Sequence, residues 1–240
     1  MRILTFLLII VLSTKVYCYD SAPAIVAVID TGLSYSDFTR NAKLCVFGRK
    51  NFTDQNEYSI FAGTKSLVPS DNHGHGTNIA GVIQQYAGDA NYCMVIIKYF
   101  DPKSMNNNNL ENTVKAIDYA TSIGAKYINY SGGGTAMDLQ EIRAVKRFLN
   151  KGGIFIAAAG NEKSDVEKQP YYPALDDPRV IAVGSIDSNG MVAKYSNYGK
   201  PILRWENGTD VFAFGLRMSG TSQAAAIVTG KMIKSAECQK

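Results

Sequence analysis

Histidine is scarce in this sequence, which limits the metal chemistry open to it. The 240 residues include two histidines, His73 and His75, separated by a single residue. That spacing is too short for the usual catalytic zinc site, and the chain contains no H-E-x-x-H motif. We therefore expect no metal at the active site, and we predict that His73 is a solvated loop residue.

Strong net charge is also missing. The chain has 25 Lys and Arg residues against 21 Asp and Glu, which gives a formal net charge of +4, and it contains no block of basic residues. Proteins that bind nucleic acid usually carry such a block, so nucleic acid is not an expected partner.

Apolar runs are short, and the one near the N-terminus has a specific interpretation. Residues 4–12 form a mostly apolar stretch behind Arg2, too short to span a bilayer comfortably and typical of a secretory signal. We predict a signal peptide over residues 1–18, whose boundary the sequence does not fix, and a single domain over 19–240. The protein is expected to be secreted or periplasmic, without membrane contact after cleavage.

Cysteine is rare, and its role depends on that export. In an oxidising compartment Cys45, Cys93 and Cys238 can form disulfides, and Cys18 joins them only if cleavage falls before it. The sequence does not determine the pairing, and buried free thiols are the alternative.

Apolar runs and helical patterns alternate regularly along the rest of the chain. The runs show almost no polar alternation, which is typical of strands buried on both faces of a parallel sheet; they cover residues 25–29, 94–97, 154–158 and 180–183. Helical periodicity lies between them, over residues 113–120 and 138–150. This order predicts an α/β fold, a three-layer sandwich with a mainly parallel central sheet flanked by helices.

Three short motifs supply the groups needed for nucleophilic catalysis. V-A-V-I-D-T-G carries Asp30, H-G-H-G-T-N-I-A-G carries His75, and S-G-T-S-Q-A-A-A carries Ser222. A serine hydroxyl needs a base to take its proton, and the base needs a carboxylate to fix its tautomer. Taken singly, each residue also has a structural interpretation, as a turn residue, a surface histidine and a helix N-terminal serine.

The predicted strands bring several of these segments to one edge. Asp30, Ser131 and Asn161 each follow a predicted strand. Open α/β sheets place their sites at the carboxyl ends of the strands, so we expect these residues to share one cleft.

Over roughly residues 24–230 the chain resembles the subtilisin-like serine proteases, in which Asp, His and Ser occur in this same order. Six segments match in register: Asp30-Thr31-Gly32, Gly74-His75-Gly76-Thr77, Asn129-Tyr130-Ser131-Gly132-Gly133, Ala158-Ala159-Gly160-Asn161-Glu162, Tyr172-Pro173-Ala174 with Val180 to Ser185, and Gly220-Thr221-Ser222.

The resemblance implies a secreted serine endopeptidase that cleaves protein or peptide substrates through an acyl-enzyme. Ser222 is then the nucleophile, His75 the general base and Asp30 its orienting carboxylate. Asn161 and the Ser222 amide are expected to form the oxyanion hole. Substrate is expected to contact Ser131, Gly132, Gly133 and Gly160, with backbone pairing along the first three.

The same resemblance suggests a specificity pocket. Gly132 and Gly133 form one wall, and the segment 161–169 with Tyr171 forms the other. The acidic side chains of that segment, Glu162, Asp165 and Glu167, favour a Lys or Arg in the substrate. The alternative is that they belong to a solvated loop, and Tyr171 stands where the family often has Gly, a change that shortens the pocket.

Departures from the family pattern leave a second function open. Asn78 replaces the usual second His, and Gln223 and Ala226 replace the usual Met and Pro.

The loop at 88–91 is too short for the family's usual calcium loop, so a structural calcium is not supported and no cofactor is expected. About a dozen residues separate the predicted signal from Asp30, too few for an inhibitory propeptide domain, so folding without one is expected. The alternative is a non-catalytic or partner-dependent subtilisin-like binding or toxin subunit.

Overall fold

The computed structural model describes residues 22–34, 36–53, 69–103 and 109–237. Within these residues the strands are β1 (Ala24–Asp30), β2 (Lys50–Asn51), β3 (Tyr92–Lys98), β4 (Tyr127–Tyr130), β5 (Ile154–Ala158), β6 (Ile181–Ile186), β7 (Arg204–Asn207), β8 (Val211–Ala213) and β9 (Leu216–Met218). The helices are α1 (His75–Ala87), α2 (Asn109–Ser122), α3 (Leu139–Asn150) and α4 (Thr221–Glu237), with one 3-10 turn at Asp37–Thr39. No helix of this part of the chain is long and apolar enough to cross a membrane.

The central sheet confirms the predicted fold class. Its seven strands are ordered β2-β3-β1-β4-β5-β6-β7, and every neighbouring pair is parallel. The four predicted strands correspond to β1, β3, β5 and β6, and the two predicted helices to α2 and α3.

Side chains of β1 show why the fold has three layers. Val26 and Val28 face the apolar layer that contains α1 and α4, whereas Ala27 and Ile29 face the layer that contains α2 and α3. Successive side chains of a strand point to opposite faces, so an uninterrupted apolar run buries both faces of the sheet at once.

The strand order places a crevice at the carboxyl end of β1. From this central strand the sheet extends through β3 on one side and through β4 on the other, and such a switch point is the usual position of a binding crevice. Ile29 pairs with Tyr130, so the next residues, Asp30 and Ser131, emerge side by side at that edge.

One disulfide ties an edge of the sheet together. Cys45 is bonded to Cys93 of β3, and the Cys45 N–H donates to the Met94 carbonyl beside it. Disulfide formation is therefore confirmed for this pair. Cys18, Cys238 and the predicted signal lie outside the described residues.

The antiparallel hairpin β8–β9 packs against α1. Phe214 and Gly215 at its turn both have positive φ, of 45° and 79°, which suits the right-handed twist of a tight hairpin. A Cβ at Gly81 of α1 would lie 2.8 Å from the Phe214 ring, so the glycine allows the close approach.

Candidate active site

Asp30 and His75 form a hydrogen-bonded pair at the end of β1. The distance from Asp30 Oδ1 to His75 Nδ1 is 2.7 Å, and the two side chains are 2% and 21% exposed. A carboxylate only accepts, so Nδ1 carries the proton and Nε2 is left as the basic nitrogen.

His75 is the first residue of α1, and the turn before it is held by Asp71. The Asp71 carboxylate accepts hydrogen bonds from the backbone N–H groups of His73, Gly74 and Thr77 and from the Thr77 hydroxyl, all between 2.6 and 2.9 Å. Burial opposes ionisation of Asp71, but these bonds outweigh it and lower the pKa of the carboxyl. Sequence reasoning missed this residue because no helical pattern was predicted after it, so an Asp in the preceding turn gave no capping signal.

The electrostatic environment of His75 favours the protonated ring. Burial acts to lower its pKa, but the charge and hydrogen bond of Asp30 and the charge of Asp71 outweigh that effect, so the pKa lies above its usual value of 6.5. The ring therefore holds a proton more tightly than a free imidazole does.

Ser222 is the second residue of α4 and is 6% exposed. Its hydroxyl donates to the Ser131 carbonyl at 3.0 Å, and among the described residues no hydrogen bond joins it to His75. Its backbone N–H lies in the first helical turn, where amides have no intrahelical acceptor and the helix dipole is positive.

Asn161 lies beside this helix start in a fixed orientation. Its Oδ1 accepts from the Thr221 N–H at 2.9 Å and from the Thr221 hydroxyl at 3.1 Å. Nδ2 is thereby directed away from Thr221, and it donates no hydrogen bond within the described part of the chain. Asn161 is solvent-exposed, so this N–H group is open to a ligand.

The Gly160–Asn161 turn is supported by Asn197, a residue that sequence reasoning did not single out. Asn197 Nδ2 donates to the Ala159 carbonyl and to Glu162 Oε2, both at 2.8 Å, and its backbone N–H donates to the Gly160 carbonyl. Gly160 has φ of 98°, and a Cβ there would lie 2.3 Å from Asn197 Nδ2, so only glycine fits.

Ser131 is positioned by a chain of hydrogen bonds that reaches α4. Asn129 Nδ2 donates to the Ser131 hydroxyl at 2.8 Å, and the Thr229 hydroxyl donates to Asn129 Oδ1 at 2.9 Å. Two main-chain bonds then join Gly134 to Tyr172, so the segment that follows Ser131 is held at both ends.

A cavity of about 510 Å³ opens along this segment. It is bordered by His75, Ser131, Gly132 and Gly133 and extends past Tyr99 to the start of α2. Four of the eight predicted site residues therefore line one cavity. His73 is exposed, as predicted, and also borders the cavity.

Tyr171 fills the space between the two predicted walls of the specificity pocket. A Cβ at Gly133 would lie 2.5 Å from Tyr171 Cε1, and one at Gly160 would lie 2.9 Å from Tyr171 Cδ2. The ring thus lies between Gly133 and Gly160, which leaves little depth for a substrate side chain.

The acidic residues of segment 161–169 accept hydrogen bonds from their own segment and from residues 197–200. Glu162 accepts from Asn197, Asp165 from the Glu167 N–H, and Glu167 from the Lys200 N–H. None of these three carboxylates lines the cavity. Their placement supports the alternative of a solvated loop.

Residues 22–237 match the protein family described as "Subtilase family". "Major intracellular serine protease" of Bacillus subtilis (strain 168) is 33% identical over 232 residues, which cover 88% of this chain and 68% of that protein.

A second relative, "Subtilisin-like protease 2" of Plasmodium falciparum (isolate 3D7), is much longer than this chain. It is 30% identical over 195 residues, which cover 75% of this chain and 14% of that protein. The chain thus matches only about a seventh of that relative's length.

Solved structures share the architecture. A cold adapted subtilisin-like serine proteinase superposes with a TM-score of 0.67 at 24% identity, over 86% of this chain and 72% of that one. A lanthipeptide protease superposes with a TM-score of 0.73 at 22% identity, over 89% and 74%. At these identities the likeness concerns the fold.

Proposed function

The chain belongs to the subtilase family, and from this premise we propose that it is a serine endopeptidase acting on protein or peptide substrates. The observation that carries the proposal is the 2.7 Å hydrogen bond between Asp30 and His75, formed beside the Ser131 carbonyl to which Ser222 donates. An oriented base next to a serine at a helix N-terminus is the arrangement that acyl transfer requires.

In the proposed mechanism, the Ser222 hydroxyl exchanges its bond to Ser131 for one to His75 Nε2 when substrate enters. The oxygen attacks the scissile carbonyl carbon and its proton passes to Nε2, while Asp30 continues to accept the Nδ1 proton. The oxyanion of the tetrahedral intermediate accepts from Asn161 Nδ2 and the Ser222 N–H. Collapse breaks the C–N bond, and the leaving amine takes the proton from Nε2.

Hydrolysis of the acyl-enzyme repeats these steps with water. His75 removes a proton from the water, whose oxygen attacks the ester carbonyl, and the oxyanion is again held by Asn161. The intermediate collapses to the carboxylic acid, and the Ser222 oxygen recovers its proton from Nε2.

We further propose that the residue before the cut is small. The support is the Tyr171 ring, which occupies the space between Gly133 and Gly160 that a long side chain would need. The carboxylates of segment 161–169 already accept hydrogen bonds from neighbouring groups, so they give no reason to expect Lys or Arg at this position.

Export is proposed as well. It is supported by the signal-like residues 1–18 and by the Cys45–Cys93 disulfide, a bond that persists mainly in oxidising compartments. Expression of the full chain in a secreting host, followed by mass analysis of the medium and the cell extract, tests both signal cleavage and the oxidised pair. Recovery of uncleaved, reduced protein from the cytosol alone would contradict export.

Covalent labelling tests the peptidase proposal. A fluorophosphonate is expected to label Ser222, and Ser222→Ala is expected to lose labelling and to reduce casein hydrolysis by at least about a thousandfold. Ser235→Ala, at an exposed position of the same helix, is the matched control and should keep both. A folded protein that binds peptides but neither labels nor hydrolyses them would instead establish the non-catalytic alternative.

A further inference from the structure

One buried carboxyl of the cleft has no part in the proposed mechanism. Glu141, in the first turn of α3, is 2% exposed and lines the 510 Å³ cavity. Within the described residues no hydrogen bond reaches its carboxyl group. Buried carboxyl groups normally have a partner, because an unpaired one loses its hydration without compensation.

Asp177 shows how the same fold treats a buried carboxylate that has a structural role. Its oxygens accept from the backbone N–H, Nε and Nη2 of Arg179, at distances from 2.8 to 3.0 Å. These bonds lower the pKa of Asp177 to about 2. Glu141 has no comparable cation, so a purely structural role does not account for it.

The charge of Asp176 makes ionisation of Glu141 less favourable. Both Asp176 oxygens are buried and have no hydrogen-bond partner in the described part of the chain. Burial, followed by the charges of Asp176 and Asp138, raises the pKa of Glu141 to about 8. Burial and the charge of Asp138 raise the pKa of Asp176 to about 7, although Lys146 acts in the opposite direction.

The walls around Glu141 suit a cation that also carries an apolar stem. Tyr99, Tyr130 and Leu110 border the cavity, and burial raises the pKa of both tyrosines, which therefore stay neutral. Aromatic faces attract cations, and apolar walls accept the methylene groups of a long side chain. The described residues contain no group of three or more His, Cys, Asp or Glu side chains that is arranged to hold a metal ion.

We propose that this cavity binds a Lys or Arg side chain of the peptide substrate, with Glu141 as the ion-pair partner. The inference rests on the proposed peptidase function and adds a second specificity position to it. A substrate strand that pairs along Ser131–Gly133 runs past the mouth of the cavity, so one of its side chains N-terminal to the cut points into it. The proposed position is centred on Glu141 of α3. Tyr171 also borders the cavity, but its ring shortens the pocket for the residue before the cut by lying between Gly133 and Gly160.

Binding of the cation changes the protonation of Glu141. The free carboxyl is protonated at neutral pH and must lose its proton to form the ion pair. The preference for a cationic side chain over a neutral one should therefore grow as pH rises from 6 toward and beyond about 8. Ionisation of His75 affects both substrates alike and cancels from their ratio.

A matched peptide series tests the proposal. Fluorogenic peptides with Ala before the cut carry Lys, Arg or the isosteric neutral norleucine at each of the next positions toward the N-terminus. At one position the kcat/KM ratio of Lys to norleucine is expected to exceed about tenfold at pH 8.5 and to fall at pH 6. Glu141→Gln should abolish both the preference and its pH dependence.

The matched control changes a carboxylate that does not line the cavity. Glu111→Gln removes the same charge from an exposed position at the start of α2 and should leave the ratio unchanged. Cleavage of all peptides with a Lys-to-norleucine ratio near one at every position, or an unchanged ratio in Glu141→Gln, would overturn this inference and leave the peptidase intact. Failure of every peptide together with absent fluorophosphonate labelling would instead overturn the peptidase function. If Glu141→Gln does not fold, Glu141→Leu, which suits a buried apolar site, provides the same comparison.

Discussion

Gln223 Nε2 donates a hydrogen bond to Asn78 Oδ1 at 3.0 Å, and both side chains are at most 1% exposed. Gln223 follows the serine of α4, and Asn78 lies one turn after His75 in α1. Asn78 in turn donates to the Leu216 carbonyl of the hairpin. Two of the three residues that depart from the family pattern in these helices are therefore partners, and together they link α1, which carries His75, to α4, which carries Ser222.

We predict that this amide pair sets the relative position of His75 and Ser222. Asn78→Ala or Gln223→Ala leaves a buried partner unsatisfied and should lower the free energy of unfolding by about 1–3 kcal/mol. Each is also expected to lower kcat with little change in KM. In a double-mutant cycle the second change should cost less than the first, because the shared bond is already lost. Strictly additive effects on both unfolding and kcat would contradict the coupling.

The acidic limb of the pH–rate profile should depend on Asp71. Because the pKa of His75 lies above 6.5, kcat/KM is expected to rise with pH through a midpoint above that value as the ring becomes neutral. Asp71→Asn removes a negative charge that favours the imidazolium, so the midpoint should move to lower pH. Asp89→Asn, an exposed position at the other end of α1, serves as control. An unmoved midpoint in Asp71→Asn would refute the electrostatic role.

The raised pKa of His75, which is expected to lower activity at acidic pH, stabilises the folded state there. A group that holds its proton more tightly in the folded state stabilises the fold below its unfolded pKa, and this contribution is lost as pH rises through the folded pKa. The pair of Asp30 and His75 therefore contributes most to stability at the pH where the enzyme is least active. Urea unfolding of Ser222→Ala and of His75→Ala/Ser222→Ala at pH 5.5 and 8.5 should show a larger difference at pH 5.5.

Tyr171→Gly should open the specificity pocket. Removal of the ring between Gly133 and Gly160 is expected to raise kcat/KM for peptides with Phe or Leu before the cut by at least about tenfold relative to Ala. Tyr171→Phe keeps the bulk and should keep the preference for small residues. Equal profiles in all three proteins would show that the ring does not limit the pocket.

Lys98 offers a test of the buried polar network below the site. Its side chain is fully buried at the end of β3, and Nζ contacts Asp101 Oδ2 and the Ser70 carbonyl, each at 2.7 Å. Lys98→Met removes the buried ammonium group from the Asp101 carboxylate and should lower the free energy of unfolding by roughly 3–5 kcal/mol. Lys151→Met, at an exposed position after α3, should cost far less. Comparable losses in the two variants would contradict this assignment.

Local patterns predicted most of the sheet but little of what surrounds Asp30, His75 and Ser222. The uninterrupted apolar runs of β1, β3, β5 and β6 carry a strong signal, whereas β4, with the sequence Tyr-Ile-Asn-Tyr, contains a polar residue and carries a weaker one. Asn129 is buried there with partners for both side-chain groups: Nδ2 donates to the Ser131 hydroxyl, and Oδ1 accepts from the hydroxyl of Thr229, a hundred residues later. Periodicity does not report such distant pairing.

The positions of the acidic residues were also not predicted from local sequence patterns. The family resemblance placed the carboxylates of segment 161–169 at the pocket wall, yet they accept hydrogen bonds from their own segment and from residues 197–200. Glu141 was overlooked, although it lies four and seven residues before Val145 and Phe148, on the buried stripe of α3. A charged residue on an apolar stripe was the available signal.

The position of Ser222 in α4 links activity to the integrity of the folded core. Its first ten residues are all buried, and they include both Ser222 and the alanines that pack beneath the sheet. A chain that has lost this helix loses Ser222, the proposed nucleophile, and a large part of the core in one event. Partly unfolded copies are therefore inert, and cleavage by the protein should cease as soon as its own tertiary structure fails.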